Sequence, residues 1–213
     1  MFDASYWKAR DCLVGAARGR GSAYLIETEY GAAVLKQYLR GGWPARFSRD
    51  RYLFTGYQRS RPLAEIRVLA HVSESGLPAP EPLAALCERQ GLFCRGWLLS
   101  RRIPHAQPLA DLLSAAAARI FRRTGATIRR FHDAGVVHAD LNVRNILVDD
   151  AEAIHLVDFD RARVGVNDRR AFRANLQRLH RSLEKLWPPQ SALDAEAAWQ
   201  ELLSAYSQQQ DAR

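Results

Sequence analysis

Residues 138–160 constrain this chain more than any other stretch. They open with His138-Ala139-Asp140-Leu141-Asn142-Val143-Arg144-Asn145 and close with Val157-Asp158-Phe159-Asp160. Asn145 follows Asp140 by five residues, and Asp158 follows Asn145 by thirteen. Two short apolar runs, 145–148 and 154–157, flank Asp149-Asp150-Ala151-Glu152 and predict a hairpin that brackets the polar residues. With His138 two residues before Asp140, three spacings agree, which is hard to produce by chance.

The pattern H-x-D-L-x-x-x-N, then V-D-F, is the layout of a phosphoryl-transfer site of the kinase type. Such a site needs a carboxylate within reach of the attacking hydroxyl, to orient it and accept its proton, and Asp140 is the candidate. Asn145 and Asp158 are the candidate ligands for Mg²⁺, which takes hard oxygen donors and completes its shell with water and ATP phosphates. A carboxylate directly after the apolar run 154–157 would be costly to bury without a cation, which favours the ligand role for Asp158 over that of a strand-end turn residue. His138 is expected to brace the loop rather than touch substrate.

The rest of the chain supplies matching parts. Residues 15–22 form a glycine-rich turn with Gly19, Gly21 and Ser22 as candidate phosphate cradle. The third glycine of G-x-G-x-x-G is missing, since position 24 is Tyr24. Strands are expected over 23–28 and 32–38, joined at Glu29-Tyr30-Gly31. Alternation puts Val34 and Lys36 on one face, where Val34 can cover an adenine and Lys36 can reach ATP phosphates. The alternative is an edge-strand lysine facing water. Pro62 opens a helix running to about 72 that carries Glu65, the natural partner of Lys36, unless it is merely a solvated glutamate near a helix start. Strands at 81–88 and 92–99, a helical stripe at Ile120, Phe121, Thr124, Ile128 and Phe131 ending at Gly135, and helices over 170–186 and 194–206 complete the reading. The expected class is α+β: a protein-kinase-like bilobal fold, with a small β-rich N-lobe (about 1–100) bearing one αC-type helix and a reduced, mainly helical C-lobe (about 104–213) in one domain. No G-x-x-x-x-G-K-[ST] occurs, which disfavours a Walker-type NTPase.

The formal net charge is +8, and 28 of the 31 basic residues are arginines; the lysines are Lys8, Lys36 and Lys185. Codon bias accounts for the arginine-to-lysine ratio better than function does, but the sign of the charge favours a polyanionic partner. Nucleic acid is not expected, because it would leave the metal-site spacing unexplained. No apolar run approaches the roughly 18 residues of a membrane span. The opening residues lack the charged and apolar regions of a signal peptide. Cys12, Cys87 and Cys94 have no metal-ligand spacing, so reduced thiols in the cytosol are the expectation.

At this point the residues resemble a family. Phe2-Asp3 with Tyr6-Trp7, Gly19-Arg20-Gly21-Ser22-Ala23-Tyr24, Arg40-Gly41-Gly42, Arg49-Asp50-Arg51-Tyr52, His138-x-Asp140-Leu141-Asn142-x-x-Asn145, Asp158-Phe159-Asp160 and Arg178-x-x-Arg181-Ser182-Leu183-Glu184-Lys185 look like the 3-deoxy-D-manno-octulosonic acid (Kdo) kinases of Gram-negative bacteria. The resemblance implies transfer of the ATP γ-phosphoryl to the 4-hydroxyl of Kdo on a lipid A precursor, with Asp140 catalytic. It implies work at the cytoplasmic face of the inner membrane, in lipopolysaccharide core synthesis. It also implies a chain short at its N-terminus, starting close to the glycine-rich turn. Residues 40–61 interleave six arginines with Trp43, Phe47, Tyr52 and Phe54. They are the expected contact with an anionic membrane surface, at about 1 kcal/mol per basic residue; a solvated loop with its aromatics turned inward is the alternative. A lipopolysaccharide heptose kinase and an atypical small protein kinase remain the rival functions, although no A-P-E follows Asp158.

Overall fold

The computed structural model describes residues 1–16, 22–29, 31–39, 50–191 and 193–208. Gly19, Gly21, Tyr30 and the segment 40–49 lie outside the described residues, as does the side chain of Ser22. The chain divides into two compact units, Met1–Ala70 with Pro80–Arg102, and His71–Ala79 with Ile103–Arg213.

The first unit is built on an antiparallel sheet. Strands β1 (Leu13–Ala16), β2 (Ser22–Thr28), β3 (Gly31–Gln37), β4 (Tyr52–Leu53), β5 (Pro82–Gln90) and β6 (Phe93–Arg101) run in the order β1-β2-β3-β6-β4, with β5 also pairing β6. β3 is interior: Lys36 pairs with Ala23 of β2 on one side and Leu98 of β6 on the other. Alternation gives β3 two faces. Ala33 and Leu35 go into a core with Ile26 and Leu99, and the other face carries Val34 and Lys36. Period-two burial of this kind is what a sheet with one packed face requires.

Several short elements were not foreseen, β1 and β4 among them. Helix α1 (Ala4–Lys8) starts at Asp3, whose carboxylate accepts from the Ser5 N–H at 2.9 Å, and it sets Phe2 and Trp7 against the sheet core. Strand β1 takes Gly15 and Ala16, read above as the start of the glycine-rich turn. Helix α2 (Arg61–Glu74) buries Pro62, Glu65, Val68, Leu69 and Val72 at helical spacing, so a carboxylate occupies one position of an otherwise apolar stripe.

The second unit is mainly helical. It holds α3 (Leu109–Leu112), α4 (Ala118–Asp133), α5 (Arg169–Leu186), α6 (Ala195–Gln208) and the small sheet β7 (Gln107–Pro108), β8 (Ile146–Val148), β9 (Ile154–Leu156). All five apolar-stripe residues foreseen for α4 are buried, and Gly135 stops the helix at φ +70. A side chain on Gly135 would press on Val166, whose N–H donates to the Gly135 carbonyl at 2.9 Å. Gly125 is where α4 meets α6: a Cβ there would lie 2.0 Å from the carbonyl oxygen of Leu202. The turn after α2 belongs to this unit, since Leu156 donates to Pro78 (3.0 Å) and Arg130 to Gly76 (2.9 Å).

Candidate active site

In the first unit, Lys36 Nζ lies 2.8 Å from Glu65 Oε2 and 3.0 Å from Oε1. Tyr38, two residues on and buried, donates its hydroxyl to Glu65 Oε2 at 2.5 Å. The Glu65 side chain is 2% exposed and that of Lys36 25%. Glu65 is therefore no solvated helix glutamate, and Lys36 no edge lysine. A buried carboxylate must be matched by a cation and donors, and here it has both. The exposed fraction of Lys36 leaves its ammonium within reach of solvent, and Val34 lies two residues back on the same face, half-buried.

In the second unit, Asp140 sits in the irregular segment after α4, with its carboxylate 62% exposed. The loop around it is shaped by amides. The Asp140 carbonyl accepts from Asn142 Nδ2 and from Asn145 Nδ2, each at 2.9 Å. Asn142 Oδ1 in turn accepts from the Arg144 N–H at 2.9 Å. With its NH₂ committed to the Asp140 carbonyl, Asn145 keeps its amide oxygen as the donor a hard cation needs. The Val143 N–H donates to Ser182 Oγ of α5 (3.3 Å), and its carbonyl accepts from Ala110 (3.0 Å).

The hairpin brings the two expected metal ligands together. The Val157 N–H donates to the Asn145 carbonyl at 3.0 Å, so Asn145 and Asp158 leave the same end of the β8–β9 pair. Asp158 is not buried, contrary to the desolvation argument made from the sequence. It is exposed and holds φ +66, because β9 ends at Leu156 and the chain turns before Phe159 returns to the core. A left-handed aspartate stores a modest strain, of the kind that concentrates at functional sites.

His138 braces this arrangement, as expected. The Asp140 N–H donates to its Nδ1 (3.2 Å), so that nitrogen is unprotonated and Nε2–H donates to the Val157 carbonyl at 2.9 Å. One neutral ring thus ties the Asp140 loop to the residue preceding Asp158. Phe159, fully buried, stacks on Phe131 and meets the His138 ring edge to face.

Sequence reasoning missed what stands behind His138. Asn175 of α5, buried, donates from Nδ2 to the His138 carbonyl, and its Oδ1 accepts from His132 Nε2 of α4 at 3.1 Å. His132 Nδ1 then accepts from the Tyr206 hydroxyl of α6 at 2.8 Å. Burial pushes the His132 pKa down to about 4, so the imidazole stays neutral and keeps its two roles; burial also raises that of Tyr206. The available signal was a polar residue at a core position of two amphipathic helices.

A sheet carrying a buried-glutamate-held lysine, and a helical unit carrying the aspartate loop and an Asn–Asp hairpin, define a kinase-like phosphotransferase. The family model described as lipopolysaccharide kinase (Kdo/WaaP) matches residues 4–206. The chain is 42% identical over 207 residues to the 3-deoxy-D-manno-octulosonic acid kinase of Xanthomonas euvesicatoria pv. vesicatoria, covering 97% of this chain and 83% of that one. Kinases of the same name from Photobacterium profundum (36%; 96% and 87% covered) and Vibrio cholerae serotype O1 (36%; 84% and 77%) are also similar. The chain belongs to the lipopolysaccharide kinase (Kdo/WaaP) family.

Proposed function

We propose that this protein is an ATP- and Mg²⁺-dependent Kdo kinase, transferring the γ-phosphoryl group to the 4-hydroxyl of Kdo on a lipid A precursor. The carrying observation is the 42% identity to a Kdo kinase across 97% of the chain, on a fold with Asp140, Asn145, Asp158 and the Lys36–Glu65 pair in place. That similarity favours Kdo over the heptose-kinase and protein-kinase readings. In the reaction the sugar oxygen forms a bond to the γ-phosphorus, the bond to the bridging oxygen breaks, ADP leaves, and the hydroxyl proton passes to Asp140 Oδ. The exposure of that carboxylate, on a loop locked by Asn142 and Asn145, suits it to orient an incoming hydroxyl. Lys36, kept charged and directed by Glu65, is the group for the ATP phosphates, with Val34 against the base.

Asn145 and Asp158 would hold Mg²⁺, which when bound neutralises charge on the phosphate oxygens. An amide oxygen and an exposed carboxylate at the same end of a hairpin suit that ion, given phosphate and water as further ligands. Gly19, Gly21 and Ser22 keep their proposed place as the phosphate cradle.

The enzyme is proposed to act peripherally at the cytoplasmic face of the inner membrane. Among the described residues no helix is long and apolar enough to cross a membrane. Arg51 and Arg59 are exposed, and with the arginines of 40–49 they are the proposed contact with anionic lipid. Arg61 instead lies over Tyr38 and Tyr52, at 5.0 and 4.9 Å from the ring centres.

The test is transfer from γ-labelled ATP to Kdo-bearing lipid A precursor and, separately, to a heptosylated core acceptor. Transfer to the Kdo lipid is expected, with Asp140→Asn slower by about 10²–10⁴, the usual share of a general base. Transfer to the heptosylated acceptor alone, or full activity of Asp140→Asn, would overturn the reading.

A further inference from the structure

Beside Asp140 lies a hollow of about 190 Å³, lined by Val137, His138 and Ala139 of the loop, by Ala171, Ala174, Asn175 and Arg178 of α5, and by Arg161 and Arg163. The sequence builds it simply. Positions 171, 174, 175 and 178 form one stripe of α5 at i, i+3, i+4 and i+7. The two alanines leave the space, Asn175 closes its floor by gripping the His138 carbonyl, and Arg178 stands at the rim. Ala139 adds no bulk directly before Asp140. Across from α5, Arg163 is pinned by a β-bridge to Val137, with hydrogen bonds of 2.9 and 3.0 Å.

Three arginines therefore line one small space. Among the described residues neither Arg161 nor Arg163 has a carboxylate partner, and Arg178 has only Asp140, at 3.8 Å. Three arginines with a single, distant carboxylate among their partners favour an anion, and the arginine fork matches the two oxygens of a carboxylate. The hollow is below the roughly 300 Å³ of a pocket for a whole drug-sized ligand, so it takes one charged group and part of a ring.

We infer that Arg161, Arg163 and Arg178 bind the carboxylate of the acceptor sugar and so present its hydroxyl to Asp140. The inference rests on the functional reading above and deepens it. Arg178 both lines the hollow and approaches Asp140, so the bound anion and the reacting hydroxyl lie within one sugar ring of each other. The phosphates of a lipid A precursor sit on different sugars, at least one glycosidic linkage away. The carboxylate shares the ring that carries the hydroxyl.

The experiment compares wild-type transfer to the native Kdo lipid, to the same acceptor with its carboxylate reduced to a primary alcohol, and to an acceptor lacking the lipid phosphates. Reduction is expected to lower kcat/KM by about 10- to 100-fold, the range for a charge-assisted hydrogen bond, through the acceptor KM with the KM for ATP unmoved. Arg163→Gln and Arg178→Gln should lower activity on the native acceptor by a similar factor and no longer distinguish it from the reduced one. Equal wild-type turnover of native and reduced acceptors overturns the inference, whatever the variants' folding. So does a loss confined to the phosphate-free acceptor, or variants that discriminate as well as wild type. ATP hydrolysis without transfer to any Kdo acceptor would instead overturn the functional reading, and this inference with it.

Discussion

Lys36 in the first unit is positioned by formal charge: a lysine, a carboxylate 2% exposed, and a tyrosine hydroxyl on the same oxygen. The Asp140 loop in the second unit is positioned by neutral groups: amides of Asn142, Asn145 and Asn175, the His138 ring, and His132 kept uncharged by burial. On the proposed function, the contrast follows from the work each would do. Lys36 would meet phosphate, and an anion beside it matches its charge. The loop would hold one carboxylate, Asp140, in water and in a fixed direction, and buried charges behind it would disturb that carboxylate. Neutral donors and acceptors give direction without adding field. The charged pair is accordingly vulnerable to neutralisation, and the neutral chain to the introduction of charge.

The sharpest way to break this contrast is Glu65→Gln. It preserves shape but removes the anion, leaving Lys36 half-desolvated, and losing one partner of a buried pair costs about 3–5 kcal/mol when both are dry. With Lys36 25% exposed, the low end applies to stability, read by thermal unfolding, and kcat/KM for ATP should fall while acceptor KM stays. Steady-state kinetics over both substrates would decide it; an unaltered ATP response would remove the pair from the nucleotide's side of the reaction.

Gly125→Ala tests the support of the neutral chain, whose members ride on α4, α5 and α6. A Cβ 2.0 Å from the Leu202 carbonyl forces backbone apart, and overpacking of this kind costs about 1–3 kcal/mol or more. Thermal unfolding should report it, with activity falling as His132 and Tyr206 separate. Unchanged stability would mean that α4 and α6 part easily.

Asn175→Asp places a negative charge inside the neutral hydrogen-bond chain. It removes the donor to the His138 carbonyl, a loss of about 1–3 kcal/mol, and sets a carboxylate beside His132 Nε2. The His132 pKa should rise, visible by NMR titration of the imidazole, with kcat falling and KM for ATP steady. An unmoved titration would show that Asn175 does not face His132 in solution.

The effect that vanishes at neutral pH concerns acid. The folded His132 pKa is about 4 against an ordinary 6.5, so between those values the unfolded chain binds a proton that the folded chain does not. This group's contribution is fully present above the ordinary value and drains away as pH falls toward 4, at up to about 1.4 kcal/mol per pH unit. Denaturant unfolding across that window should show the slope, and His132→Gln should flatten it by one proton. A variant with the wild-type slope would place the titration elsewhere.

The site was legible in particular places. The five- and thirteen-residue spacings located Asp140, Asn145 and Asp158, because a tight loop and a short hairpin leave their connections little freedom. Strand alternation put Val34 and Lys36 on one face, and the α4 stripe was read residue by residue, since both periods are local geometry. Asp158 was misjudged in burial, because apolar neighbours in the chain do not reveal that the strand stops two residues earlier and the backbone turns left-handed.

By itself, then, the sequence determined what local rules control: the spacing of the candidate residues, the periods of the helices and strands, and the family. Only the tertiary structure decided that β3 is interior, that Glu65 is buried against Lys36 and Tyr38 across 29 residues of chain, and that Asn175, His132 and Tyr206 form one chain of hydrogen bonds. It also gathered Arg161, Arg163 and Arg178 around one hollow. These are contacts between side chains far apart in sequence. Their partners are chosen by how elements pack and which buried polar atoms must be satisfied, and no local pattern encodes that choice.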